Sequence, residues 1–286
     1  GQLGWIASSW VLSPLISGMI SYGLFTFIQT KILFAANPSI SAQKWIPYFV
    51  FLCFTTLTLS LVYQGLSLQL STVRALGLSS LVGLAAAVIS QPLFRRTSEP
   101  YLELAGNAPQ ILLAAPHKTV EKMFISLQIL SACLVAFAHG ANDVANAIGP
   151  VAAVFSVLKT QSLAYEPAVP AWRLALGGGG IVVGLATWGW RVIETVGKKI
   201  TELTPSRGFS AEFSAAATTL IASKLGLPIS TTHALIGAVF GVGLACSPQS
   251  LNWQTVKEIA ISWIVTIPLC ALFSILSFYL LKWLFI

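Results

Sequence analysis

Asp143 is the only aspartate among the 286 residues, and it lies in an apolar stretch, AHGANDVANAIGP (138–150), with Asn142 and Asn146 beside it. A carboxylate at bilayer depth costs at least ~2.5–3.5 kcal/mol on insertion scales, so such a residue marks a functional site by default. On a helix, His139 and Asp143 are four apart, as are Asn142 and Asn146, so the four side chains can line one polar face. A carboxylate, two amide oxygens and freed backbone carbonyls are hard oxygen ligands. They suit Na⁺ or a proton-coupled site. The plainer reading is a polar clamp between helices, since Asn and His hydrogen-bond across membrane interfaces, but a clamp does not require an ionisable residue.

A second cluster is GLPISTTHALIGAVFG (226–241). Pro228 ends whatever precedes it, and Ser230, Thr231 and Thr232 then open an apolar helix. Hydroxyl residues at a helix start satisfy orphan backbone N–H groups. Those N–H groups and the positive end of the helix dipole also form an anion site, which suits a tetrahedral oxyanion. The plainer reading is an ordinary N-cap. Ser230, His233 and Asp143 supply the residue types of a serine hydrolase as well. Ser230 and His233 stand one helical turn apart, however, and no nucleophile elbow or oxyanion sequence accompanies them. No enzymatic activity is expected. Glu212 is read either as an interfacial charge or as a cavity residue supporting the site.

The elements that position these residues must be membrane helices. The chain is 56% hydrophobic and 9% charged, against roughly 25% charged in a soluble domain, and its mean hydropathy is +0.81. Apolar runs fall at about residues 6–28, 46–63, 73–94, 123–158, 173–196, 209–225, 229–245 and 259–285. The 123–158 run would be about 54 Å long as one helix, beyond a ~30 Å hydrocarbon core. His139-Gly140 and Gly149-Pro150 make it either two crossings or one span with a break near the polar motif. Each of the pair 209–225 and 229–245 is short for a span, and almost no polar loop separates them. They predict a re-entrant hairpin, tolerated where it is buried in protein or lines a cavity.

Loop charges favour the single broken span. With one crossing, one side holds Lys31, Lys44, Arg95, Arg96, Lys118, Lys122, Arg191, Lys198, Lys199, Arg207 and Lys257, and the other Arg74, Lys159, Arg173 and Lys282, a split of 11 to 4 that leaves out Lys224 at the hairpin tip. Two crossings would give 9 to 6. The positive-inside rule then places the C-terminus on the non-cytoplasmic side. The net charge of +7 reflects these short loops, with no Lys/Arg run longer than two, so no nucleic-acid partner is expected. Cys53, Cys133, Cys246 and Cys270 form no C-x-x-C pair and read as small apolar residues. GGGG (177–180) lacks a following Gly-Lys-Ser/Thr and reads as close helix packing rather than a P-loop. Arg191 and Glu194 are spaced to pair locally.

Residues 95–122 carry Pro100, Pro109 and Pro116 and read as a cytoplasmic linker between residues 1–94 and 123–286. SSWVLSPLISG (8–18) faintly resembles ISWIVTIPLCA (261–271), as repeated transporter halves do. On that repeat, 1–94 would be the last spans of a first repeat whose start is missing, and 123–286 the second. The opening GQLGWIASSW shows neither an initiator Met nor a signal or transit peptide, so a truncated N-terminus is expected.

In GANDVANAIGP (140–150), GLPISTTHALIGAVFGVG (226–243) and SWIVTIPL (262–269) the chain resembles the inorganic phosphate transporter family, which includes sodium–phosphate symporters and phosphate permeases. RVIETVGKKITELTPSRGFSAEF (191–213) further resembles its cyanobacterial and plastid branch. The resemblance implies an all-α polytopic inverted-repeat secondary transporter with a broken helix and a re-entrant helical hairpin. It implies phosphate binding by Ser230, Thr231, Thr232 and Asn146, and coupling-cation binding, with Na⁺ as the candidate metal at Asp143, by Asp143, Asn142 and Asn146. His139, His233 and Glu212 are supporting candidates. The expected partners are inorganic phosphate, the lipid bilayer and a missing N-terminal repeat in cis or trans, with a homodimer as a candidate assembly. No cofactor beyond coupling Na⁺ or H⁺ is expected. The function implied is cation-coupled phosphate symport by alternating access, with a sulfate permease or an inactive partner half as alternatives. The implied location is a cyanobacterial plasma membrane, or else a plastid inner envelope.

Overall fold

The computed structural model describes residues 2–66, 68, 70–104, 115–161, 169–227 and 229–285, without side-chain detail at 2–3, 5–7, 93–104, 115–116 and 160. Among these residues there is no strand. All eight apolar runs are helical: α1 (Gln2–Ile28), α2 (Pro38–Ser60), α3 (Thr72–Leu104), α4 (Ala115–Thr160), α5 (Ala171–Gly184), α6 (Trp190–Glu194), α7 (Pro205–Lys224), α8 (Thr231–Cys246) and α9 (Trp253–Phe285). π-Helical turns extend α1 through Leu33 and α2 through Gly65, and another joins α5 to α6. Six stretches are long and apolar enough to cross a membrane: Ser8–Leu33, Pro38–Gly65, Thr72–Pro92, His117–Lys159, Ala171–Lys199 and Trp253–Phe285. The molecule is a polytopic helical membrane protein.

The inner bundle is α1, α2, α4, α7 and α8. Phe49 of α2, Phe124 of α4 and Phe209 of α7 meet with ring centroids 5.3–6.0 Å apart, and all three are buried. α1 and α8 touch backbone to backbone. A Cβ on Gly237 or Gly241 would overlap the main chain of Pro14 or Gly18, and Ser21 Oγ donates to the Ala238 carbonyl at 2.7 Å. Gly237 and Gly241 form the small-x-x-x-small spacing that lets membrane helices approach this closely.

The two hairpin arms are α7 and α8, packed on each other and enclosed by α1 and α4; α8 is short for a span at 16 residues, whereas α7 starts earlier than its apolar run and reaches 20. Burial of α7 requires its polar side to be satisfied internally. Ser210, Ser214 and Thr218 each donate to the carbonyl four residues earlier, at 2.7–2.8 Å. The start of α7 is held from outside. Glu121 of α4 accepts from Ser206 N at 2.8 Å, Ser206 Oγ at 2.7 Å and Thr204 Oγ1 at 2.9 Å. A carboxylate at a helix N-terminus pairs with orphan N–H groups and the dipole together.

Several expectations need correction. The break near His139-Gly140 is not formed, because α4 is one 46-residue helix containing Pro150. An interior glycine costs only ~1 kcal/mol, too little to end a helix packed on α7. Pro150 has no N–H to give the Asn146 carbonyl, so the irregularity is one missing bond inside a continuous helix. Of the four glycines 177–180, only Gly177 is a close contact, against the Ile148 side chain; a Cβ at the other three meets nothing within 4 Å. Glu194 pairs with Lys198 at 3.3 Å, and Arg191 lies over the Trp190 ring at 5.3 Å; side chains four apart on a helix align better than those three apart for this pair. Helix α3 runs to Leu104 and α4 starts at Ala115, so both ends of the 95–122 segment are helical. Its middle, 105–114, and Pro228 lie outside the described residues.

Candidate oxyanion and cation site

Asp143 lies on α4 opposite the N-terminus of α8. Its Oδ2 is 2.6 Å from His139 Nε2. Its Oδ1 accepts from Asn142 Nδ2 at 3.1 Å and from Thr231 Oγ1 at 3.3 Å. Asn142 Nδ2 also reaches the Ile229 carbonyl at 3.3 Å, tying α4 to the residue before the α8 cap. The i,i+4 spacing of His139 and Asp143 is thus used directly, and three polar partners offset part of the carboxylate's desolvation. Its side chain keeps 35% exposure.

That exposure opens into a cavity of about 280 Å³ lined by Trp10, Asp143, Asn146, Ile229, Ser230, Thr231 and Thr232. The volume falls below the ~300–1,000 Å³ of pockets for drug-sized molecules, so it suits an inorganic ion and its coordination shell. Ser230 is the N-cap of α8, and its Oγ accepts from His233 N at 3.3 Å. Capping by Ser230 serves one helix donor; the other first-turn N–H groups have no intrahelical acceptor and lie at the Thr231–Thr232 end of the cavity. Among the described residues no group of three His, Cys, Asp or Glu side chains gathers. A cation at Asp143 would therefore depend on amide, hydroxyl and carbonyl oxygens besides the one carboxylate. The Asn146 carbonyl freed by Pro150 belongs to a residue that lines this cavity.

His233 turns away from Asp143. Its ring stacks on Trp263 of α9 with centroids 3.8 Å apart, and Nδ1 lies 3.3 Å from the Trp10 carbonyl of α1. Trp10 and Trp263, which stand at matching places in the two similar stretches SSWVLSPLISG and ISWIVTIPLCA, both meet this one histidine. Glu212 is not at the cavity. It accepts from Ser131 Oγ at 2.6 Å, and Ser131 lies three turns, about 18 Å, along α4 from Asp143. Sequence reasoning missed Trp10 as a lining residue and Glu121 as the clasp of α7. Trp10 gave no signal beyond one more aromatic in an apolar run, and Glu121 none beyond a lone carboxylate near a span end.

The sequence profile of the phosphate transporter family matches residues 1–274. The chain belongs to this family. Inorganic phosphate transporter 2-1, chloroplastic, of Arabidopsis thaliana is 42% identical over 296 residues, covering 96% of this chain and 49% of that protein. A candidate phosphate permease of Pyrococcus abyssi is 42% identical over 284 residues, covering 98% of this chain and 66% of the relative. Among solved structures, a sodium-dependent phosphate transporter superimposes with a TM-score of 0.78 at 39% identity, covering 98% of this chain and 66% of that one. This phosphate transporter family chain thus spans between about half and two thirds of the length of these relatives. These relatives are named as transporters and permeases, not enzymes.

Proposed function

We propose that this chain forms the C-terminal part of a secondary transporter that moves inorganic phosphate together with Na⁺ or H⁺. The observation that carries the reading is the single cavity shared by Asp143, Asn146 and the Ser230–Thr232 helix end. Thr231 and Thr232, with the first N–H groups of α8, hold the phosphate oxygens. Asp143, with Asn142 and Asn146, holds the coupling cation, and that cation offsets the repulsion between carboxylate and phosphate. Residues 1–94 and 123–286 act as parts of two inverted repeats, and alternating access follows from one rocking against the other. The site is completed by a second Asn-Asp motif and hairpin from an N-terminal repeat, in cis or in trans. The sodium dependence named for the structural relative favours Na⁺, and the plastid relative supports an envelope location beside a bacterial plasma membrane.

The test is phosphate uptake by the full-length parent protein in proteoliposomes, with imposed Na⁺ or H⁺ gradients and with sulfate as competitor. Asp143→Asn is expected to lose the dependence of uptake on the cation gradient. Wild-type uptake with unchanged cation dependence refutes the assignment of Asp143. Equal competition by sulfate refutes the choice of phosphate.

A further inference from the structure

A second cavity, of about 530 Å³, lies between α2 and α3 and is lined by Gln43, Lys44, Pro47, Tyr48, Phe51, Leu84, Ala87, Val88 and Gln91. None of these residues belongs to the Asp143 site. Positions 44, 47/48 and 51 share one face of α2, and positions 84, 87/88 and 91 share one face of α3. The helices are antiparallel and pinched at Gly83, where a Cβ would come within 2.8 Å of the Phe51 carbonyl oxygen. From that pinch the cleft runs toward Lys44 on one helix and Gln91 on the other. All three polar lining residues, Gln43, Lys44 and Gln91, therefore stand at one end, and the remaining wall is apolar or aromatic. The distance from Lys44 to Phe51 along α2 is about 10 Å, the reach of a headgroup plus the first part of an acyl chain.

Within this chain, which spans about half to two thirds of its relatives' length, Tyr48, Leu84 and Val88 are more than half exposed along this wall. A soluble anion gains nothing from such a surface. An acyl chain fits it, but moving a chain from bulk lipid onto a protein groove releases no hydrophobic energy, so selectivity must come from the headgroup. Lys44 is exposed and has no carboxylate partner among the described residues; its ammonium lies 5.9 Å from the Trp45 ring centroid. It is an uncompensated cation flanked by two amides that can donate to a phosphodiester. The polar end also carries the basic side of the charge asymmetry, with Lys31 before it and Arg95 and Arg96 following Gln91 in sequence. By the positive-inside rule that is the cytoplasmic leaflet, which holds the anionic lipids.

We propose that the α2–α3 cleft binds an anionic phospholipid, with its phosphate at Lys44, Gln43 and Gln91 and one acyl chain along Tyr48, Phe51, Leu84 and Val88. The test reconstitutes the full-length protein in bilayers of phosphatidylcholine mixed with phosphatidylglycerol, extracts it gently and quantifies retained lipid by mass spectrometry. Wild type should retain phosphatidylglycerol above its bulk share. Lys44→Gln should weaken that selection about five-fold, the weight of one basic residue at an anionic surface, whereas Lys44→Arg preserves it. Leu84→Trp, which fills the cleft and leaves Lys44 in place, should reduce retention too. Equal retention of both lipids by wild type overturns the proposal, as does unchanged selection in Lys44→Gln. Loss in Lys44→Gln with full retention in Leu84→Trp overturns the cleft in favour of a diffuse surface charge. Displacement of the lipid by inorganic phosphate overturns it in favour of a free-anion site. Phosphate uptake is not used as a readout, so failure here leaves the transport reading standing.

Discussion

Removing the Glu121 carboxylate tests how the hairpin is held. In Glu121→Ala, Ser206 N, Ser206 Oγ and Thr204 Oγ1 lose their shared acceptor. Hydrogen bonds to a charged acceptor contribute about 1.5–3 kcal/mol each in favourable cases. The three are not additive, because two come from one residue, and Glu121 is only half buried, so solvent replaces part of what is lost. The two hydroxyls can rotate to other acceptors; the Ser206 N–H at the buried start of α7 cannot. The expected cost is about 2–4 kcal/mol for Ala. Glu121→Gln keeps one acceptor oxygen but loses the charge opposite the helix dipole, for about 1–2 kcal/mol. At roughly 2–4 °C per kcal/mol for large domains, the alanine variant should melt about 4–16 °C lower in detergent, with the glutamine variant between it and wild type. A double-mutant cycle with Ser206→Ala separates the pair from general loss of packing. Melting within a degree of wild type, or strict additivity in the cycle, refutes the clasp.

Other substitutions probe the packing that sets the site. Gly237→Leu drives a side chain into the Pro14 backbone; overpacking of this kind costs about 1–3 kcal/mol or more, seen as loss of folded protein after extraction. Gly178→Ala, with open space at the Cβ, should be neutral or raise the melting temperature, since alanine is favoured over glycine by up to ~1 kcal/mol in a helix. His233→Ala removes the Trp263 stack and the contact with the Trp10 carbonyl and should raise the KM for phosphate uptake more than it lowers kcat. His233→Phe, which keeps the stack, should restore part of the affinity; an unchanged KM in His233→Ala removes His233 from the positioning of the α8 turn.

The parts legible in the sequence were those that break the rules of an apolar segment. Asp143 and the Ser230–Thr232 hydroxyls stood out because polar groups at membrane depth must be repaid, and the structure brings them to one cavity. The two runs flanking Gly226 are helices α7, of 20 residues, and α8, of 16, packed on each other as the near-absence of a polar loop between them predicts. Residues obeying the rules were illegible. Trp10 is one more aromatic in an apolar helix, and only contact with the α8 turn makes it a lining residue. Glu121 is a lone carboxylate at the end of the 95–122 segment, and only the start of α7 beside it makes it a clasp. Gly140 misled in the other direction: a glycine in a polar motif weakens a helix by ~1 kcal/mol, and packing along α4 outweighs that. Proline was the better signal, since Pro150 removes a bond that packing cannot restore.

The arrangement at Asp143 sets the sign of its own variant. Thr231 Oγ1 donates to Asp143 Oδ1, so an oxyanion seated on the first turn of α8 lies within about 5 Å of the carboxylate. At an effective dielectric near 20, two unit charges at that distance repel by about 3 kcal/mol. The helix N-terminus returns at most ~2 kcal/mol. The helix end alone therefore does not hold a phosphate against an ionised Asp143, whereas a cation between them turns the repulsion into two attractions. On the proposed coupling, cation and phosphate would tighten each other by the same factor. In Asp143→Asn the repulsion disappears along with the cation ligand. Phosphate binding measured without a coupling cation should rise, by up to about 100-fold for 3 kcal/mol, even as gradient-driven uptake falls. Titration of phosphate into the detergent-solubilised full-length protein, with choline replacing Na⁺ at fixed pH, measures this directly. If cation-free binding weakens in the asparagine variant, Asp143 attracts the anion through its own hydrogen bonds, and the coupling scheme built on charge repulsion fails.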